Sequence, residues 1–129
     1  SIGTFSNSSL TNGGALSSLI EDDQVSNELN SKCIYKMPAL QLDKVCQIYN
    51  IKKPKYLKID VDGLEYNIIK GGRSILNSLK SLLIEIDNEQ PKNRNNIFKI
   101  LKTEGFYLEA NNTITADTKT SNQIWHKNS

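Results

Sequence analysis

Two short apolar runs, "YLKIDV" at 56–61 and "LLIEID" at 82–87, bracket a stretch whose apolar residues recur at helical spacing. Leu64, Ile68 and Ile69, then Ile75, Leu76 and Leu79, predict one or two helices interrupted by Gly71-Gly72. Upstream, Leu42, Val45, Cys46 and Tyr49 form the stripe of an amphipathic helix, and "IKKPK" breaks it before the strand. Downstream, Ile97, Ile100 and Leu101 support a helix over about 94–104 with Gly105 as its stop. Strand, helix, strand, helix, strand is the alternation of a parallel α/β sheet. The continuous apolar runs predict strands covered on both faces. A further strand is expected in "CIYKMPAL" (33–40), with Pro38 near its end, and others in "FYLEA", "TITA" and "QIWHK". Only short polar loops separate these tail strands, so an antiparallel edge strand is expected on an otherwise mostly parallel sheet.

The 129 residues suffice for one domain with one core, and residues 33–109 carry most of the 37% hydrophobic content. The first 32 are rich in Ser, Asn and Gly and lack periodicity. They read as a loop-rich segment, 1–32, whose supporting structure lies upstream, leaving 33–129 as the α/β part. A net charge of +2, with lysines scattered along the chain, gives no ground for a nucleic-acid partner. Cys33 and Cys46 form neither a disulfide framework nor a zinc spacing, and Cys46 reads as an inert buried thiol. No apolar run reaches the roughly 20 residues of a membrane span, and no signal peptide is visible, so a cytoplasmic protein is expected.

The first apolar run carries unusual charge: Lys58, Asp60, Asp62 and Glu65. Asp62 as N-cap and Glu65 as N3, with Gly63 at N1, make a capping box for the following helix. Alternation places Tyr56, Lys58 and Asp60 on one strand face, and Leu83, Glu85 and Asp87 together on the next strand. Buried strand charges are nearly always paired, so Lys58 and Glu85 are expected to form an internal ion pair. Asp60 is left at the carboxyl end of a parallel strand, where open α/β sheets bind ligands. It is the catalytic candidate, with Lys58, Asp62, Glu65 and Glu85 as supporting or substrate-binding residues. No metal site is expected. His126, the single histidine, lies beside Trp125 in a predicted edge strand and reads as a surface or packing residue.

Asp60-Val61-Asp62-Gly63 after an apolar strand is similar to the haloacid-dehalogenase phosphatase signature, with Asp60 as nucleophile and Asp62 as acid/base. Leu64 replaces its threonine, Lys58 interrupts the strand, and the late acidic metal motif is missing. As a calcium loop the stretch lacks a third ligand and a closing glutamate.

"LKIDVDGLEYNIIKGG", a leucine-rich helix and then "LLIEI" together resemble the FkbM-type family of S-adenosylmethionine-dependent methyltransferases. Lys58, Ile59, Asp60, Val61, Gly63, Glu65 and Gly71 match its pattern; Asp62 stands for the usual Glu and Ile69 for Leu. "LQLDKV" is similar to its T-L-D helix start with Gln41 for Thr, and "GFYLEA" and "QIWHK" look like its last two strands. The resemblance spans about 33–127. It implies the class I, Rossmann-like methyltransferase fold, a mostly parallel seven-stranded sheet with the last strand inserted antiparallel. The chain would supply the carboxyl-terminal half, strands four to seven.

The implied activity is methyl transfer from S-adenosyl-L-methionine to a small-molecule or glycan hydroxyl. The family's glycine-rich cofactor loop and ribose-holding acid are not visible, so the cofactor-binding residues stay unassigned. The chain alone is expected to be inactive and prone to self-association. A phosphatase of the haloacid-dehalogenase type and a non-catalytic α/β interaction domain remain the alternatives.

Overall fold

The computed structural model describes residues 2–7, 17–20, 33–61, 63–109 and 119–127. They fall into two units, Ser1–Leu40 and Gln41–Ser129.

The first unit is an antiparallel sheet of β1 (Ile2–Asn7), β2 (Ser17–Ile20) and β3 (Cys33–Pro38), in the order β2-β1-β3. Strands β1 and β2 thus lie within the stretch expected to be loop. The expected strand at 33–40 is present but pairs with β1, so the units divide after Leu40 and not after residue 32. Periodicity could not reveal β1, because "IGTFSN" is short and its two large apolar residues, Ile2 and Phe5, are three apart and do not alternate. Phe5 lies opposite Tyr35, and their rings stack at 5.8 Å, a cross-strand pair that fixes the register. Pro38 is the last residue of β3, an edge strand of this sheet, where proline is tolerated.

The second unit alternates α1 (Leu42–Ile48), β4 (Tyr56–Ile59), α2 (Glu65–Gly71), α3 (Arg73–Leu76), β5 (Ser81–Asp87) and α4 (Pro91–Thr103). Two strands end it, β6 (Phe106–Leu108) and β7 (Thr120–Lys127). The sheet order is β4-β5-β7-β6. β4 and β5 are parallel, while β7 pairs antiparallel with β5 and with β6. The antiparallel strand is therefore internal and β6 takes the edge, correcting the expectation of an antiparallel edge strand. The physical reason is that β6 and β7 are joined across the segment 109–119, long enough for β7 to re-enter beside β5. The expected strand at 113–116 lies outside the described residues.

Register explains which residues form the core. Leu57 and Ile59 stand opposite Leu82 and Ile84, and Leu82 stands opposite Trp125 on β7. This face, with Ile86, is sealed by Ile69 of α2, Ile75 and Leu76 of α3, and Ile97 and Leu101 of α4. The other face carries Lys58, Leu83, Glu85, Ile124 and His126, all at least partly exposed. Coverage of both faces is thus not seen among the described residues, and β5 alternates between buried and half-buried positions. On the sealed face Gln123, fully buried, accepts the Trp125 indole N–H at 3.2 Å and donates to the Ser121 hydroxyl at 3.3 Å. A buried polar side chain on an apolar face is tolerable only when bonded in this way.

Candidate active site

Asp60 directly follows the carboxyl end of β4, the strand whose parallel pairing with β5 creates a ligand crevice in α/β folds. β4 is an edge of the described sheet, not a central strand. Lys58 lies two residues back on the same face, and its ammonium reaches Asp60 Oδ2 at 2.7 Å. The expected internal pair of Lys58 with Glu85 is corrected by the register, which sets Lys58 opposite Leu83. One step further along, Glu85 aligns with Asp60. Both partners of the Lys58–Asp60 pair are about half exposed, because this face of an edge strand is open to solvent. The hydrogen bond from Lys58 holds the Asp60 carboxyl below the usual aspartate range, with a smaller contribution from Glu85. Lys58 is correspondingly held above its usual range by Asp60, with weaker attraction from Glu85. The phasing that put Lys58 and Glu85 on one sheet face is kept, although the two are not direct partners.

The turn after β4 passes through Gly63, at φ +89°, a conformation that favours glycine. Asp62 lies outside the described residues, and with it the expected N-cap. α2 starts at Glu65 with Leu64 as its N-cap and no side-chain cap bond, so Glu65 is the first helical residue and not the third. Its Oε1 accepts the Gly63 N–H at 3.3 Å, and the side chain is buried. Burial pushes the Glu65 carboxyl above the usual glutamate range, opposed by backbone N–H donors at Glu65, Gly63 and Val61. The nearby charge of Glu85 pushes it further in the same upward direction.

Glu65 and Glu85 line a cavity of about 250 Å³ with Gly63, Asp87, Gln90 and Thr120. Asp87 accepts the Glu89 N–H and the Gln90 side-chain amide, both at 2.8 Å, which fixes the turn from β5 into α4 above the cavity. Lys58 and Asp60 border a second concavity of about 460 Å³, floored by Leu42, Leu57, Ile59, Val61 and Ile68. A polar cavity and an apolar one therefore adjoin the same strand ends. Asp87, Gln90 and Thr120 were not anticipated as lining residues. The alternation that grouped Asp87 with Glu85 was the available signal for the first of them. No group of three or more His, Cys, Asp or Glu able to hold a metal occurs among the described residues.

The remaining motif residues are architectural. Asp43, in the helix start at 40–45, accepts the backbone N–H groups of Ser74 and Ile75 at 2.9 Å each, tying α1 to the start of α3. Leu42 presses on Gly72, where an added Cβ would lie 3.1 Å from its Cδ2. Cys46 is a free, half-buried thiol packed against the core. His126 sits 3.6 Å from Glu109 on the open face beside Tyr107, away from Asp60 at the far end of the sheet.

A mixed sheet with helices on it and carboxylates at the ends of its parallel strands fits a methyltransferase-like α/β protein. The chain belongs to the FkbM methyltransferase family: the model of the methyltransferase FkbM domain matches residues 4–115, most of its length. Methyltransferases of this kind generally use S-adenosylmethionine. The match begins within β1 and takes in β2 and β3. It offers no support to the phosphatase or interaction-domain readings. No curated protein and no solved structure matches the chain. No helix among the described residues is long and apolar enough to cross a membrane.

Proposed function

We propose that the chain serves S-adenosylmethionine-dependent methyl transfer to a hydroxyl of a sugar or small metabolite, with Asp60 as the residue nearest the chemistry. The observation that carries this reading is the position of Asp60, just past a parallel strand and on the border of the apolar concavity, with Glu65 and Glu85 lining a polar cavity near the ends of the same strands. The order β4-β5-β7-β6, with β7 reversed, supports assigning the chain to the carboxyl-terminal half of a class I methyltransferase sheet.

The donor set suits part of the cofactor. Asp60, Glu85 and Asp87 are carboxylates that match its cationic groups and hydroxyls. Among the described residues no glycine-rich turn joins a strand to a helix to receive its nucleoside. When bound, S-adenosylmethionine supplies an electrophilic methyl. The chain's own residues then have to orient the acceptor and take its proton, and most of the rate comes from holding the reactants in line. Asp60, kept anionic by Lys58, is a weak proton acceptor but a permanent one for hydrogen bonds, which favours positioning of a hydroxyl. Glu65, raised by burial and lining the polar cavity, is the better matched base of the two.

Methyl transfer from labelled S-adenosylmethionine to a panel of hydroxyl acceptors, by the protein that carries this chain, tests the proposal. Asp60→Asn should lower transfer by roughly 100-fold, the scale of misplacing a bound reactant, with the melting temperature unchanged. Full transfer by this variant would remove Asp60 from the site. The isolated chain should bind the cofactor weakly or not at all, and micromolar affinity in calorimetry would refute the half-sheet assignment.

A further inference from the structure

Lysines scattered in the sequence gather at one end of the second unit, opposite the carboxylates. The Lys55 carbonyl accepts the Lys80 N–H at 2.7 Å, which sets Lys55 and Lys80 side by side on the amino-end rim of β4 and β5, while the ammonium of neighbouring Lys127 is held by the Leu76 carbonyl and the Asn77 side chain at 3.4 Å each. Lys52 and Lys53 extend the row. Their loop is pinned to the fold by Lys53 on the Ser74 hydroxyl and by the Ser78 hydroxyl on the Pro54 carbonyl at 2.9 Å. Lys52, Lys53, Lys55 and Lys80 are exposed. Two carboxylates bonded into this end of the fold are already engaged: Asp43 holds backbone N–H groups, and Glu104 holds Arg73 at 3.1 Å.

The loop and the ends of α1 and β4 that it joins carry large exposed apolar side chains. Ile48 is 59% exposed, Tyr49 65%, Ile51 51% and Tyr56 70%. Isolated exposed apolar residues are ordinary, but four within nine residues, rimmed by lysines, form a patch that needs a partner. Lysines beside tyrosines and aliphatic residues match a bilayer interface. Ammonium groups meet anionic headgroups, tyrosine rings sit at headgroup depth, and isoleucines enter the acyl boundary. Isoleucine offers no ring for a base to stack on, and the row of four exposed lysines contains no arginine fork for phosphate or guanine, so single-stranded nucleic acid fits less well.

We propose that the rim formed by Ile48, Tyr49, Ile51, Lys52, Lys53 and Lys55, extended by Lys80, docks on an anionic lipid surface. Docked this way, the strand ends that carry Asp60 and Glu65 face away from the bilayer.

The test is co-sedimentation of the full chain with mixed phosphatidylglycerol–phosphatidylcholine vesicles and with pure phosphatidylcholine vesicles. The chain should pellet with the anionic vesicles only, and progressively less as salt is raised. At about fivefold per lysine near such a surface, Lys52→Gln/Lys53→Gln/Lys55→Gln should lower partitioning roughly a hundredfold. Because Lys53 also bonds Ser74, the pair Lys52→Gln/Lys55→Gln spares that contact and should lose roughly 25-fold. Ile48→Ser/Ile51→Ser should weaken binding and leave a salt-sensitive remainder. Lys92→Gln/Lys99→Gln on α4 should bind as the parent does. Equal pelleting with neutral vesicles, no pelleting, or indifference to the lysine variants would overturn the proposal. So would binding of a single-stranded oligonucleotide that depends on these lysines in a chain that ignores vesicles.

Discussion

Lys58 donates to Asp60 across one step of an edge strand, ammonium to carboxylate at 2.7 Å, on a face open to solvent. The pair sets the charge of Asp60 without supporting the core. Lys58→Met should therefore let the Asp60 carboxyl titrate closer to the usual aspartate range, as followed by NMR, with no change in melting temperature. Because Asp60 is lowered by its partner, whatever stability the pair gives is present above the usual aspartate range and lost as pH falls through the folded value. Salt should erase most of it, as for other exposed pairs.

Glu65 should produce the opposite slope. Its carboxyl is raised, so the folded chain holds that proton more tightly than the unfolded chain does. Stability from this group is complete below the ordinary glutamate value and declines as pH rises through the raised one. Glu65→Gln keeps a neutral side chain that still accepts the Gly63 N–H. In urea titrations at mildly acidic and neutral pH, the variant should gain on the parent as pH rises.

Asp43→Ala should cost about 2–3 kcal/mol in chemical denaturation, since two backbone N–H groups at the start of α3 lose a charged acceptor. Gly72→Ala tests the same junction by volume. An added Cβ would meet Leu42 Cδ2 at 3.1 Å and the Ile68 carbonyl at 3.2 Å, for an expected loss of about 1–3 kcal/mol.

Gln123→Leu fills the same buried position but leaves the Trp125 indole N–H without its acceptor. A loss of about 1–3 kcal/mol is expected, read by circular dichroism during unfolding. In a Trp125→Phe background the same Gln123→Leu exchange should cost less, because the donor that Gln123 serves is already gone.

The helices and the β4–β5 pair were legible because their apolar residues follow one period each, and Gly71-Gly72 marked the break between α2 and α3. Asp60 was legible from its place at a strand end. The partner of Lys58 was not, since alternation fixes faces while register decides neighbours, and register placed Leu83 beside Lys58. Nor was the sheet of β1 to β3: its strand at 33–38 was expected, but β1 and β2 are short and carry no alternation that would mark them as its partners. Asp43 was read as part of a helix start, because a hydrogen bond spanning 31 residues leaves no local pattern.

β7 has a consequence for how the polypeptide is made. β5 and β6 share no hydrogen bonds and are joined only through residues 120–127. As the chain emerges from the ribosome, β4, β5, α4 and β6 are all synthesised before the strand that unites them. Until then β5 and β6 each present an unpaired edge, and Leu82, Ile84 and Ile86 lack the neighbours β7 supplies. The second unit therefore closes late and all at once, and a nascent chain stalled before Thr120 is the species that chaperones must shield from aggregation.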